Sequence, residues 1–129
     1  MTQILLQVEN PEALEQANIS REMLLKMIAQ EQQNCTADIY LWCKHNGKII
    51  SRMFFEQGGQ MLEDSGTGSA AANLGAYFIH TTQSPCKYAI QQGDFMGRPN
   101  RLFLQVDEKQ HIFVGGKVVE VGEGVFYLP

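Results

Sequence analysis

The sequence predicts an α+β fold: a mostly antiparallel sheet rolled around one central apolar helix. Three observations carry this expectation. Between Ala70 and Ile79 only Asn73 is polar, and Ala71, Ala72, Gly75 and Ala76 are small. A helix that is apolar all round is surrounded by protein, and this one is far short of the roughly 20 apolar residues that span a bilayer. After Ser84-Pro85, short strand-like runs recur between glycines and polar turns. Asn46-Gly47, between two apolar runs, is a strong two-residue hairpin signal.

Taken in order, residues 4–8 have the length and branching of a strand. Asn10-Pro11 opens a short helix, with proline suited to the first helical position. Ser20 is the expected N-cap of a second helix over residues 21–32, whose apolar face is Leu24, Leu25, Met27 and Ile28. Residues 38–44 read as a strand in which Ile39, Leu41 and Cys43 alternate with Tyr40 and Trp42. A second strand follows over residues 48–55, then a loop over 56–60 and the apolar helix to about His80. The later strands are expected at residues 88–92, 101–107, 111–114 and 117–121. Gly115-Gly116 is a tight turn between the last two, and residues 125–128 form a final strand. No repeat, linker or low-complexity tract interrupts the chain, so residues 1–129 form one domain.

The 129 residues are enough for a real core. A net charge of -4 with scattered basic residues gives no footprint for nucleic acid, and no membrane segment is expected. The start of the chain lacks the positively charged region of a signal peptide, and three cysteines at unrelated spacings suit a reduced, cytoplasmic setting. Cys35, Cys43 and Cys86 are read as small core residues, and His45, His80 and His111 are too scattered for a ligand set. No metal is expected.

The chemistry concentrates where the apolar helix begins. Glu63-Asp64-Ser65-Gly66-Thr67-Gly68-Ser69 places a carboxylate, hydroxyls and glycines before that helix. A helix start offers unpaired N–H groups and the positive end of its dipole. Glycine lets a bound group approach closely, and Ser or Thr adds donors. The segment is therefore suited to holding a small anionic ligand beside Asp64. The plain alternative is a capped helix, with Thr67 or Asp64 as the N-cap.

These residues resemble a family. Arg52-Met53-Phe54-Phe55, then Glu63-Asp64 with Thr67-Gly68-Ser69-Ala70-Ala71, is similar to the C-terminal half of PhzF-like isomerases of phenazine biosynthesis. The run from Gln92 through Gly93-Asp94-Phe95-Met96-Gly97-Arg98-Pro99 to Asn100 resembles that family's second signature, and Val114-Gly115-Gly116-Lys117-Val118 its closing hairpin. The resemblance implies one half of a diaminopimelate epimerase-like fold, in which two pseudo-symmetric halves enclose a cleft. It implies proton transfer on a small carboxylate substrate without metal or organic cofactor. Residue by residue, it gives Asp64 as the catalytic carboxylate and Thr67, Gly68 and Ser69 as substrate-binding residues. The thiol pair of related racemases has no counterpart in this motif.

Two departures stand out. Ser65-Gly66 replaces the family's Pro-Ala, and the glutamate and histidine of the family's N-terminal half have no match. Glu63 is a poor substitute, because neighbours around a turn need not face one site. Arg98 could hold a carboxylate bidentately, but a turn-bracing role is favoured. Activity is expected to need a separate N-terminal half. A second reading is a non-catalytic module that keeps the fold and ligand binding, and a half-molecule with an exposed apolar face is expected to pair as a homodimer.

Overall fold

Strand β1 (Thr2–Gln7) lies parallel to β2 (Ala37–His45), and between them come helices α1 (Pro11–Gln16) and α2 (Arg21–Gln30). The computed structural model describes residues 2–30 and 37–128. The expected end of α2 at residues 31–32, and Cys35, lie outside them. Both helix starts use the caps the sequence offers: Asn10 Oδ1 accepts from Ala13 N at 2.8 Å and Ser20 Oγ from Met23 N at 3.2 Å.

Asn46-Gly47, with φ of 49° and 74°, turns β2 into the antiparallel β3 (Lys48–Gln57). These positive angles are the ones a primed two-residue turn requires. A second such turn was not foreseen. Gly58-Gly59, at φ 61° and 82°, joins β3 to β4 (Gln60–Asp64), so the expected loop is a tight hairpin that carries Asp64 out on a strand. Helix α3 (Gly68–His80) then crosses to β5 (Cys86–Gln92), which runs parallel to β3. Strands β6 (Asn100–Val106) and β7 (Ile112–Gly116) complete an antiparallel meander.

The sheet order is β1-β2-β3-β5-β6-β7, with β4 paired to β3. It is mixed rather than wholly antiparallel, because each helical crossover returns to a parallel strand. The two crossovers step the same way across the sheet but start from strands of opposite direction. Their right-handed preference therefore puts α1 and α2 on one face and α3 on the other. Leu14 and Leu24 pack with Ile39, Leu41, Cys43 and Phe54 on the first face. On the second, Leu74 and Phe78 pack with Tyr40, Trp42, Ile90 and Leu104. Both sides of β2 are thus covered, and its two alternating sets are buried alike.

Helix α3 is not encircled. Ala70, Ala71, Leu74, Gly75 and Phe78 are buried, whereas Ser69, Asn73, Ala76 and His80 form an exposed strip. Its small residues have a different cause from enclosure. A Cβ on Gly75 would stand 2.9 Å from Ile112 Cγ2, so glycine lets the helix lie close on β6 and β7. Cys43 is buried and Cys86 half-buried, in keeping with core roles.

The last correction concerns the C-terminus. Gly115 and Gly116 are not a turn: they pair with Phe103 and Leu102 inside β7. Residues 117–128 then run on without regular structure, and neither of the two expected final strands forms within the chain.

Among the described residues the Tyr40 hydroxyl is buried without a well-formed hydrogen bond, and the nearby Ser51 hydroxyl points to the Gln91 carbonyl. Burial pushes this hydroxyl up to about 12. Tyr40→Phe is therefore expected to raise stability by about 0.5–1.5 kcal/mol, since it removes a desolvated group and leaves the ring packing in place. Urea unfolding measures the change, and a loss of stability would mean that the hydroxyl is well bonded.

Candidate functional site

The β4–α3 junction gathers the residues singled out in the sequence. Thr67 is the N-cap of α3, but its side chain makes no capping bond. Its hydroxyl turns back and donates to Asp64 Oδ2 at 2.6 Å, while Gly66 N approaches Oδ1 at 3.5 Å. Asp64 is therefore held as an acceptor at the end of β4. Gly68 and Ser69 occupy the first helical positions, and among the described residues nothing accepts from the N–H groups of Gly68, Ser69 or Ala70. The helix start is left uncapped and faces outward, with its dipole unanswered.

Gln92 builds this arrangement from beneath. It is fully buried at the end of β5. Its Nε2 donates to the Asp64 carbonyl at 2.8 Å and to Thr67 Oγ1 at 2.9 Å, and its Oε1 accepts from Thr67 N at 3.2 Å. All three of its side-chain bonds run to the loop that carries the site. Asn100 adds a further tie, donating to the Ser65 carbonyl at 2.9 Å. Gly93 follows Gln92 at φ 83°, where a Cβ would run into the Arg98 carbonyl, so the turn demands glycine.

An open cleft of about 300 Å³ lies in front of the helix start. Met53 and Phe55 floor it, and Asp38, Asp64, Thr67 and Ser69 bring polar groups to its walls. Gln3 closes one side, donating to Ser69 Oγ at 3.1 Å and accepting from Asn73 Nδ2 at 2.6 Å. Glu56 also lines the cleft but is tied down by Gly59 N at 2.6 Å.

Asp38, Gln3 and Gln92 were not singled out as site residues from sequence. Asp38 is 8% exposed, and burial raises its carboxyl from its ordinary value. It therefore keeps its proton to a higher pH than an ordinary aspartate. Only the parallel pairing of β1 and β2 brings Gln3 and Asp38, which are register partners, to the front of α3.

Two other charged residues take structural places. Glu63, one residue before Asp64 on β4, turns to the opposite side and binds Arg52 at 2.8 and 3.0 Å. Arg98 is exposed, and among the described residues no hydrogen bond or ion pair holds its side chain, so it braces no neighbouring loop there. Its turn is closed by backbone, Arg98 N to Gly93 O at 2.9 Å, while Arg101 forms the local ion pair with Asp94.

Comparison with known proteins gives the chain's relatives. An isomerase of Pasteurella multocida, named as uncharacterized, is 40% identical over 127 residues, covering 98% of this chain and 42% of that protein. A similarly named isomerase of Mesorhizobium japonicum is 26% identical over 132 residues, covering 94% of this chain and 43% of that one. Among solved structures, a predicted epimerase from Pseudomonas aeruginosa superposes with a TM-score of 0.63 at 26% identity, covering 88% of this chain and 38% of that one. The chain thus spans less than half the length of these relatives. The family model described as phenazine biosynthesis-like protein matches residues 1–124, and the chain belongs to that family.

Proposed function

We propose that this chain is the C-terminal half of a cofactor-independent PhzF-like isomerase, one wall of a diaminopimelate epimerase-like cleft, that moves a proton on a small carboxylate substrate. The observation that carries this reading is the uncapped start of α3 beside Asp64. The Thr67 hydroxyl, which would cap the helix, is spent on the Asp64 carboxylate. The N–H groups of Gly68 and Ser69, with the Ser69 hydroxyl, are left for a substrate carboxylate.

The two aspartates suit different tasks. Asp64, already accepting from Thr67, is placed to take a proton, and Asp38, desolvated at the cleft wall, is placed to hold one. Thr67 orients the base, and Gly68 lets the ligand reach the backbone without a side chain in the way. The facing wall is supplied by an N-terminal half, as the greater length of the relatives suggests.

A second reading is favoured by one feature. Asp64, Ser65, Gly66 and Thr67 form a turn closed on the Asp64 carboxylate itself, which suits a module that binds a carboxylate without turning it over.

Deuterium exchange separates the two. In deuterated water, β,γ-unsaturated or hydroxy-carboxylates are expected to exchange when the chain is mixed with an N-terminal half prepared from the Pasteurella relative. Asp64→Asn is expected to slow that exchange about 100-fold or more. Exchange untouched by Asp64→Asn would remove the assignment. Carboxylate binding with no exchange under any pairing would select the binding module.

A further inference from the structure

Two polar side chains interrupt surfaces that otherwise read as apolar, and they are bonded to each other. Asn73 is the polar residue of the apolar run from Ala70 to Ile79 on α3. On β1, Leu5 packs against the core beneath α3, and Gln3, two residues earlier, faces the same side. Asn73 Nδ2 donates to Gln3 Oε1 at 2.6 Å. That bond occupies the carbonyl end of the Gln3 amide and turns its NH2 end to Ser69, where Nε2 donates to Oγ at 3.1 Å. Asn73 follows Ser69 by one turn on the same exposed strip of α3, so a single glutamine reaches both.

A hydroxyl that accepts from one neighbour keeps its own proton for another. The site holds one completed example of this device. Gln92 Nε2 donates to Thr67 Oγ1 at 2.9 Å, and the Thr67 hydroxyl donates onward to Asp64 Oδ2 at 2.6 Å. Gln3 and Ser69 repeat the pairing of amide and hydroxyl on the other side of the helix start, but here the end is open. Among the described residues nothing accepts from the Ser69 hydroxyl, and both residues line the cleft of about 300 Å³.

We infer that Gln3 is a positioning residue: fixed by Asn73, it donates to Ser69 Oγ and so reserves the Ser69 proton for a carboxylate oxygen of the substrate in the cleft. This role rests on the proposed reading of the α3 start as the wall that holds the substrate carboxylate. A serine hydroxyl on an exposed helix start is otherwise a free rotor. Aimed before the ligand arrives, it loses less freedom on binding. The amide does this without setting a charge beside an anion. The direction of the relay matters as much as its presence. Reversed, with Gln3 Oε1 towards Ser69, the amide would take the serine proton and leave only lone pairs facing the carboxylate.

Titration of the full chain with but-3-enoate, a β,γ-unsaturated carboxylate, tests the relay through the backbone amide resonances of Gly68 and Ser69. The same spectra report that each variant is folded. Ser69→Ala is expected to weaken binding about tenfold, and Gln3→Met, which keeps the length of the side chain without its amide, about three- to fivefold. Asn73→Asp introduces a carboxylate that can only accept, so it draws the Gln3 NH2 to itself and reverses the relay. It is expected to weaken binding by about as much as Ser69→Ala. In the Ser69→Ala background, both Gln3→Met and Asn73→Asp are expected to change the affinity less than about twofold, because the hydroxyl they act through is gone. If Gln3 merely ties β1 to α3, Gln3→Met lowers the affinity equally in both backgrounds, and that result would overturn the relay. So would a Gln3→Met variant that binds as tightly as the parent. A parent chain whose Gly68 and Ser69 amides ignore but-3-enoate would overturn the reading of the helix start itself, and the relay with it.

Discussion

Arg52→Met is expected to lower stability by about 3–5 kcal/mol, the largest loss from any single side chain outside the apolar core. Arg52 sits on β3 with both its own and its partner's side chains mostly buried, at 12% and 14% exposure. Its Nε and Nη2 bind the two Glu63 carboxylate oxygens at 3.0 and 2.8 Å. Its Nη1 donates to the carbonyls of Leu14, Glu15 and Ala17 at 3.0 Å each, closing the C-terminal end of α1. The guanidinium also stacks 4.6 Å from the Phe54 ring. One planar group thus joins α1, β3 and β4, a role that the point charge of lysine cannot fill.

Removing Arg52 strands a desolvated carboxylate and three carbonyls at once. The control is Arg52→Met with Glu63→Leu, which removes the uncompensated charge but not the loose carbonyls. The double variant is expected to regain about half of the loss, with a coupling of roughly 1–3 kcal/mol in the cycle. Urea unfolding of the four proteins measures it. A single-variant loss under about 1 kcal/mol, or a double variant no better than the single, would mean that the cluster is an ornament of the surface.

The residues that resisted a reading from sequence share one cause: their roles depend on partners distant in the chain. The helix start at Gly68 was legible because its signals are local, with glycine, hydroxyl and carboxylate in seven consecutive residues. So was the alternation in β2, which gave the two faces of the sheet correctly. Arg52 and Gln92 stood in recognisable motifs, yet nothing nearby says that one clamps the end of α1 and the other carries the Asp64 loop. Asp38 and Gln3 meet α3 only through the parallel β1–β2 pairing, which no local pattern announces.

The small residues of α3 were read as a sign of enclosure, whereas among the described residues the helix packs closely on one face and leaves a strip exposed. Close approach on one face, against Leu104 and Ile112, already requires Gly75. Val118 to Leu128 shows the reverse case. The local pattern says strand, and the structure within one chain withholds the partner that a strand needs.

Gln92→Leu is expected to separate stability from site geometry. The side chain is fully enclosed, and leucine fills nearly the same volume, so the apolar packing of β5 survives. What is lost is specific. The Asp64 carbonyl and the Thr67 N–H lose their partner, and the Thr67 hydroxyl loses a donor. Unmatched buried groups of this kind cost about 1–3 kcal/mol each when water cannot reach them. The loop can relax towards solvent, so a total of roughly 2–4 kcal/mol is expected, or a fall in Tm of about 8–16 °C at roughly 4 °C per kcal/mol.

The site should suffer more than the fold. Without Gln92, the Thr67 hydroxyl is free to rotate from Asp64 into the ordinary capping position, where it closes the helix start against a ligand carboxylate. Carboxylate affinity should therefore fall further than the loss of stability alone explains, even at temperatures where the variant is fully folded. Thr67→Val in the Gln92→Leu background tests this route, since it removes the hydroxyl that would block the helix. Restored affinity in the double variant is the expected result. If affinity instead stays lost while the fold remains intact, Gln92 positions the ligand by a means other than holding Thr67 off the cap.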